Sequence, residues 1–207
     1  MYLDKQLREY LDDLASARPT PGGGSTAALS GAMGAALVCM VARLTLSNAE
    51  YTAVHAEVEG IVQRAEALRA RFQALMSEDM EAYGKLSACY KLPKGTSEEK
   101  AARTRAIQAA LVDAALVPLA IAECAVELIR LCERIAEIGN KNVLSDIATA
   151  STLASSAASA ASWMVRVNTQ GLKDQARAEE LDSRLDTTLY TVTEGGLQVV
   201  QVIGERS

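Results

Sequence analysis

The chain has 207 residues, a net charge of -5 and a sequence pI near 5.1, so a basic face for nucleic-acid phosphates is not expected. That length is enough to bury a core without staples, and the four cysteines, Cys39, Cys89, Cys124 and Cys132, contain no C-x-x-C pair and share the chain with one histidine, which argues against a zinc or redox motif. They read as reduced thiols of a cytoplasmic protein.

Leu3, Leu7, Tyr10, Leu11 and Leu14 recur at spacings of three and four and predict a short first helix ending near Ser16. This opening stretch mixes acidic and basic residues, so no secretory signal is expected. Pro19 and Pro21 stop the helix, and after Gly22-Gly23-Gly24 a second one runs from Ser25 to about Leu46. It is apolar almost all round, broken by glycines, and reads as a central buried helix instead of a membrane span. The abundance of alanine, with only 4% aromatic residues, requires helices that approach closely on small side chains.

From Thr52 to about Tyr90 an apolar stripe that includes Val58, Ile61, Phe72, Leu75, Met76, Tyr83 and Leu86 predicts one very long helix, ended by Leu92-Pro93-Lys94-Gly95. Thr96 and Glu99 form a capping-box pattern that starts the next helix, which runs toward Ile138 and should be kinked or split at Pro118. Gly139, Asn140 and Asn142 separate it from an Ala/Ser-rich helix over Val143 to Asn168. A last helix begins near Lys173. Its Gly195-Gly196 pair costs about 1 kcal/mol per glycine relative to alanine, so this helix is expected to be the most weakly held. The fold class is all-α, an antiparallel array of long helices in one domain over 1–207.

Among the polar residues Asp79 stands out, because Phe72, Leu75, Met76 and Tyr83 put it on the apolar stripe of its helix. Desolvation disfavours a carboxylate there and raises its pKa toward a range useful for acid or base work, although an interhelix ion pair explains the placement equally well. Asp146 shares a face with Val143, Ile147, Ala150 and Leu153, but a first-turn position on a helix dipole accounts for it without chemistry. The glycine triplet can aim backbone N–H groups at a ligand, although a plain interhelix turn suffices to explain it. Asn168 suits either a helix cap or an amide that pairs with a heterocycle. Lys94, Lys100 and Arg103 surround a capped helix start, as a solvated turn or as cations for a carboxylate ligand. His55 has no partner at a spacing that suggests a triad.

Four segments in order, PTPGGGSTAALSGAMGAALVCMV (19–41), LPKGTSEEK (92–100), GNKNVLSD (139–146) and VNTQGLKD (167–174), resemble the motifs of the formiminotetrahydrofolate cyclodeaminase and methenyltetrahydrofolate cyclohydrolase family. The likeness covers nearly the whole chain. It implies an all-helical homodimer acting on the one-carbon unit between N5 and N10 of tetrahydrofolate, with no metal, no cofactor beyond the folate substrate, and neither nucleic acid nor membrane as partner. Hydrolysis of 5,10-methenyltetrahydrofolate is the expected reaction, with formiminotetrahydrofolate cyclodeamination as the alternative and a non-catalytic helical module as a third reading. The resemblance points to Asp79, Asp146 and Lys94 as catalytic candidates, the carboxylates as acid and base and the lysine orienting substrate. Gly22, Gly23, Gly24, Ser25, Asn140, Asn168 and Lys100 become substrate-binding candidates. One segment departs from the family pattern: RLTLSNAEY (43–51) replaces an Asn-Leu-Thr followed by glycine and a lysine run, leaving Lys94, Lys100 or Arg43 to meet a polyglutamate tail.

Overall fold

The computed structural model of the chain describes residues 2–206, and among these no strand occurs. A 3-10 turn at Tyr2–Asp4 precedes α1 (Leu7–Leu14), and the long helices follow: α2 (Gly23–Leu46), α3 (His55–Tyr90), α4 (Ser97–Ile138), α5 (Leu144–Thr169) and α6 (Gln175–Arg206). The five long helices alternate in direction. In the main body α2 packs on α3, α3 on α4, α4 on α5 and α5 back on α2, while α6 lies across α4 and α5. One end of the bundle therefore gathers the starts of α2, α4 and α6 with the ends of α3 and α5. The other gathers the remaining termini.

Periodicity explains the core. Val58, Phe72 and Leu75 of α3, Leu119, Leu128 and Ile135 of α4, and Leu181 and Leu185 of α6 are completely buried, each side chain contributing about 1.5–3 kcal/mol when removed from water. Ala28, Ala35 and Ala42 of α2 and Ala150, Ala154, Ala157 and Ala161 of α5 are also fully buried, which lets the helices lie close together. Windows of α2 and α4 are apolar and long enough to cross a membrane, but about half of each is buried inside the bundle, as core helices require. The cysteines are free thiols, and burial raises that of Cys39 to about 11.

Three expectations are revised. The first helix is shorter than its stripe suggested, and Leu3, Leu7 and Leu11 are exposed; only Tyr10 turns fully inward, where its hydroxyl bonds Ser25 Oγ (3.3 Å) and Thr26 Oγ1 (3.2 Å). The fourth helix is not split at Pro118 but continues through it as α4, 42 residues long. Finally, Gly195 and Gly196 are seats for α6 rather than weak points alone. A Cβ at Gly195 would lie 2.3 Å from Ile129 Cγ2 of α4, and one at Gly196 would lie 3.3 Å from Ser155 Oγ of α5.

Candidate active site

At the end of the bundle where α2 begins, a cavity of ≈ 360 Å³ opens between α2, α3, α4 and α5. Its walls include Pro19, Thr20 and Gly22–Gly24, Asp79, Tyr83, Leu86 and Tyr90 of α3, Leu111 and Ala114 of α4, and Met164, Val167 and Asn168 of α5. A mostly apolar cleft with a few fixed polar groups is the usual form of a small-molecule site, and this volume falls in the ordinary range.

Asp79 owes its position to the glycines. Its carboxylate lies against the first turn of α2, where the Ser25 backbone N–H donates to it. A Cβ at Gly24 would lie 1.9 Å from Asp79 Oδ1, so only glycine permits this approach. Burial pushes the Asp79 carboxyl above the ordinary aspartate value of 3.8, and the Ser25 N–H opposes that shift without cancelling it. No arginine or lysine pairs with it among the described residues, so the interhelix ion pair is not the reason for its inward position. The result is a carboxyl group held at a helix N-terminus and able to exchange a proton with something in the cavity.

Ser25 serves the loop and not the cavity. Its hydroxyl accepts from Gly22 N–H (3.1 Å) and donates to the Gly22 carbonyl (2.9 Å), which fixes the glycine turn, and the residue is fully buried.

Asn168 is set by a proline on another helix. Pro118 has no N–H for the carbonyl of Ala114, four residues earlier, and so leaves that acceptor open in mid-helix. Asn168 Nδ2 fills the vacancy, donating to the Ala114 carbonyl at 2.9 Å and to the Met164 carbonyl at 2.7 Å. With both amide protons engaged, its Oδ1 is what remains for a ligand. The amide thus acts as an acceptor, narrower than the donor-and-acceptor role considered from sequence.

The other candidates are elsewhere. Lys94 and Lys100 lie at the same end of the bundle but are exposed in the α3–α4 loop and the first turn of α4, and neither lines the cavity. Asp146 is half-buried in the first turn of α5, where the helix dipole favours its charge. It is about 33 Å from Asn168 along α5 at 1.5 Å per residue, so the two carboxylates do not share a cleft within one chain. Asn140 is at that far end too, its side chain accepting from Asn142 N–H (3.0 Å) and its backbone N–H donating to Thr45 Oγ1 (2.9 Å). Arg43 is tied to Glu66 (2.8 Å). Helix direction separates these residues, since those opening α5 face away from those closing it.

Several wall residues were not singled out as site candidates from the sequence. Tyr83, Leu86 and Tyr90 follow Asp79 by four, seven and eleven residues, the spacing of one helical face, and this signal was available once Asp79 had been singled out. Leu111, Ala114, Met164 and Val167 carry no comparable mark. Among the described residues, no three His, Cys, Asp or Glu side chains gather in a way that could hold a metal ion.

The sequence matches the formiminotransferase-cyclodeaminase family model over residues 6–187. It is 44% identical over 186 residues to the methenyltetrahydrofolate cyclohydrolase of Methylorubrum extorquens, covering 90% of this chain and 89% of that one. It is 30% identical to the formimidoyltransferase-cyclodeaminase of Rattus norvegicus over 98% of this chain, which spans 37% of that longer protein. The fold superimposes on the crystal structure of formiminotetrahydrofolate cyclodeaminase from Thermotoga maritima with a TM-score of 0.89 and 29% identity, covering 99% of this chain and 98% of that one. On the family match, these relatives and the shared fold, the chain belongs to the formiminotransferase-cyclodeaminase family.

Proposed function

We propose that the protein is a methenyltetrahydrofolate cyclohydrolase that converts 5,10-methenyltetrahydrofolate and water to 10-formyltetrahydrofolate and a proton. The 44% identical relative of that name, matched along nearly its whole length, supports the reaction. The observation that carries the mechanism is Asp79, a largely buried carboxyl of raised pKa with no cation beside it among the described residues, on the wall of a mostly apolar cleft in which, tyrosines aside, Thr20 and Asn168 are the other polar side chains.

With Asp146 remote in one chain, a single carboxylate does both halves of the work. Ionised Asp79 takes a proton from water as its oxygen bonds to the electrophilic amidinium carbon, giving a neutral tetrahedral carbinolamine. The protonated carboxyl then returns that proton to N5 as the N5–carbon bond breaks. The hydroxyl of the intermediate loses its proton to solvent, leaving a carbonyl on N10. Atoms and charge balance, and the chemistry needs no cofactor beyond the folate itself. The backbone of the glycine loop and the Asn168 Oδ1 acceptor orient the pteridine, which turns a bimolecular attack into a positioned one.

Cyclodeamination is the second reading, favoured by the Thermotoga cyclodeaminase, whose chain is matched over 98% of its length. Chain length therefore does not separate the two activities. Following the methenyl chromophore with each substrate does: absorbance lost from 5,10-methenyltetrahydrofolate reports hydrolysis, and absorbance gained from 5-formiminotetrahydrofolate reports deamination. No change with the first substrate would overturn the assignment.

The proposal includes a homodimer in the cytoplasm. Exposed Trp163 and Val167 of α5, Met33 and Met40 of α2, and Leu197 and Val200 of α6 support self-association, and the free thiols suit a reducing compartment. Light scattering in solution tests the first point.

A further inference from the structure

We propose that Arg103, held against Tyr90 of the cavity wall, is the residue that binds the glutamyl carboxylate of the substrate. The inference rests on the folate reading above and specifies which end of the ligand faces outward.

Arginines elsewhere in the chain are mostly committed to acids. Arg64 pairs with Glu127, Arg71 with Glu78, Arg134 with Glu57 and Glu137, and Arg184 with Glu123. Arg103 has no carboxylate at ion-pair distance among the described residues. Its guanidinium lies 6.0 Å from the centre of the Tyr90 ring, Nη2 donates to the Tyr90 carbonyl at 3.0 Å, and Nε is buried with no partner. The aromatic face and the carbonyl hold the fork in place while leaving N–H donors without an acceptor. Glu99, the nearest acid in sequence, is occupied, as its carboxylate accepts from Gly95 N–H (2.6 Å) and Thr96 N–H (3.1 Å).

Tyr90 itself lines the cavity, three helical turns or about 16 Å along α3 from Asp79. Asp79 fixes where the reacting carbon must be, deep against the α2 N-terminus. A tetrahydrofolate placed there carries an aryl ring and then a glutamyl carboxylate away from that carbon. Tyr83, one turn beyond Asp79, and Tyr90 offer flat surfaces for the aryl ring. Arg103 meets the second of them at both its ring and its carbonyl. Planar guanidinium and planar carboxylate make charge-assisted, paired hydrogen bonds, which lysines on flexible exposed stems such as Lys94 and Lys100 do not reproduce.

Calorimetry tests this with 5-formyltetrahydrofolate and with the same pteridine lacking the glutamyl group, titrated into the wild type, Arg103→Ala and Arg103→Lys. Wild type is expected to bind the glutamyl ligand at least about tenfold more tightly, as one charge-assisted pair would give. Arg103→Ala should erase that preference without weakening the shorter ligand, and Arg103→Lys should restore part of it. A preference that survives in Arg103→Ala, or equal weakening of both ligands, overturns the proposal. Chromophore turnover measured beside it keeps the two readings apart: binding as expected without hydrolysis sinks the cyclohydrolase assignment alone, and a wild type that binds neither ligand sinks both.

Discussion

The two ends of the helical bundle treat their polar groups in opposite ways. At the far end most are answered, the buried His55 Nε2 being an exception. Arg134 bridges Glu57 and Glu137, Arg206 donates to the carbonyls of Ala136 and Gly139 that close α4, Asn140 N–H meets Thr45, and Lys141 N–H meets the Tyr51 hydroxyl at 3.0 Å. At the cavity end Asp79 lacks a cation, Asn168 has a spare acceptor and Arg103 has spare donors. Satisfied groups at one end hold helices in register. On the proposed reading, groups left incomplete at the other are completed by the ligand.

The sharpest test of this contrast is Asp79→Asn. Turnover should fall by about 10²–10⁴-fold, the usual contribution of a positioned acid or base, while circular dichroism is unchanged. Stability should move the other way. A carboxyl whose folded pKa is raised holds its proton longer in the folded state than in the unfolded chain, so wild type loses stability as pH rises from about 3.8 through the raised value. The asparagine variant has no such loss, and its advantage in thermal denaturation should be greater at pH 7 than at pH 4. A variant less stable at pH 7 than at pH 4 relative to wild type would contradict the burial argument.

Gly24→Ala comes next, since its methyl group would displace the Asp79 carboxylate without touching its chemistry. A shift of about 1 Å costs on the order of 10²-fold in rate, so steady-state kinetics should show a lowered kcat with folding retained. Gly195→Ala is the counterpart on the structural side: it should lower stability by about 1–3 kcal/mol through overpacking against Ile129, read by urea denaturation, and leave kcat alone. Asp146→Asn should do least, changing stability by less than about 0.5 kcal/mol with turnover intact. A loss matching that of Asp79→Asn would instead mean that a second copy brings its Asp146 to the cavity.

The helices were legible because long apolar stripes at a 3.6-residue period leave little choice, as Val58 through Leu86 illustrate on α3. Asp79 was legible for the same reason, a charge interrupting a stripe that must be buried. The grouping of Asp79 with Asp146 was not, because motifs in sequence order do not say which end of an antiparallel helix they occupy. Asn140, Lys94 and Lys100 lie outside the cavity of a single chain, which their motifs did not reveal because sequence order carries neither direction nor exposure. Pro118 was read only as a break in α4, since the side chain that answers its missing hydrogen bond comes from α5, fifty residues away in sequence. Leu3, Leu7 and Leu11 had the right period for a core, yet periodicity does not tell an inward apolar face from an outward one.

The Pro118 vacancy also gives the cavity a polarity. An asparagine whose two hydrogens are anchored on main-chain oxygens cannot turn over to suit its guest. Whatever ring atom comes to rest against Oδ1 has to arrive carrying a hydrogen, and a bare ring nitrogen would find electron pair facing electron pair. On the proposed folate reading, a gap in the backbone bonding of one helix thereby filters heterocycles by their state of reduction and protonation through a side chain borne by another.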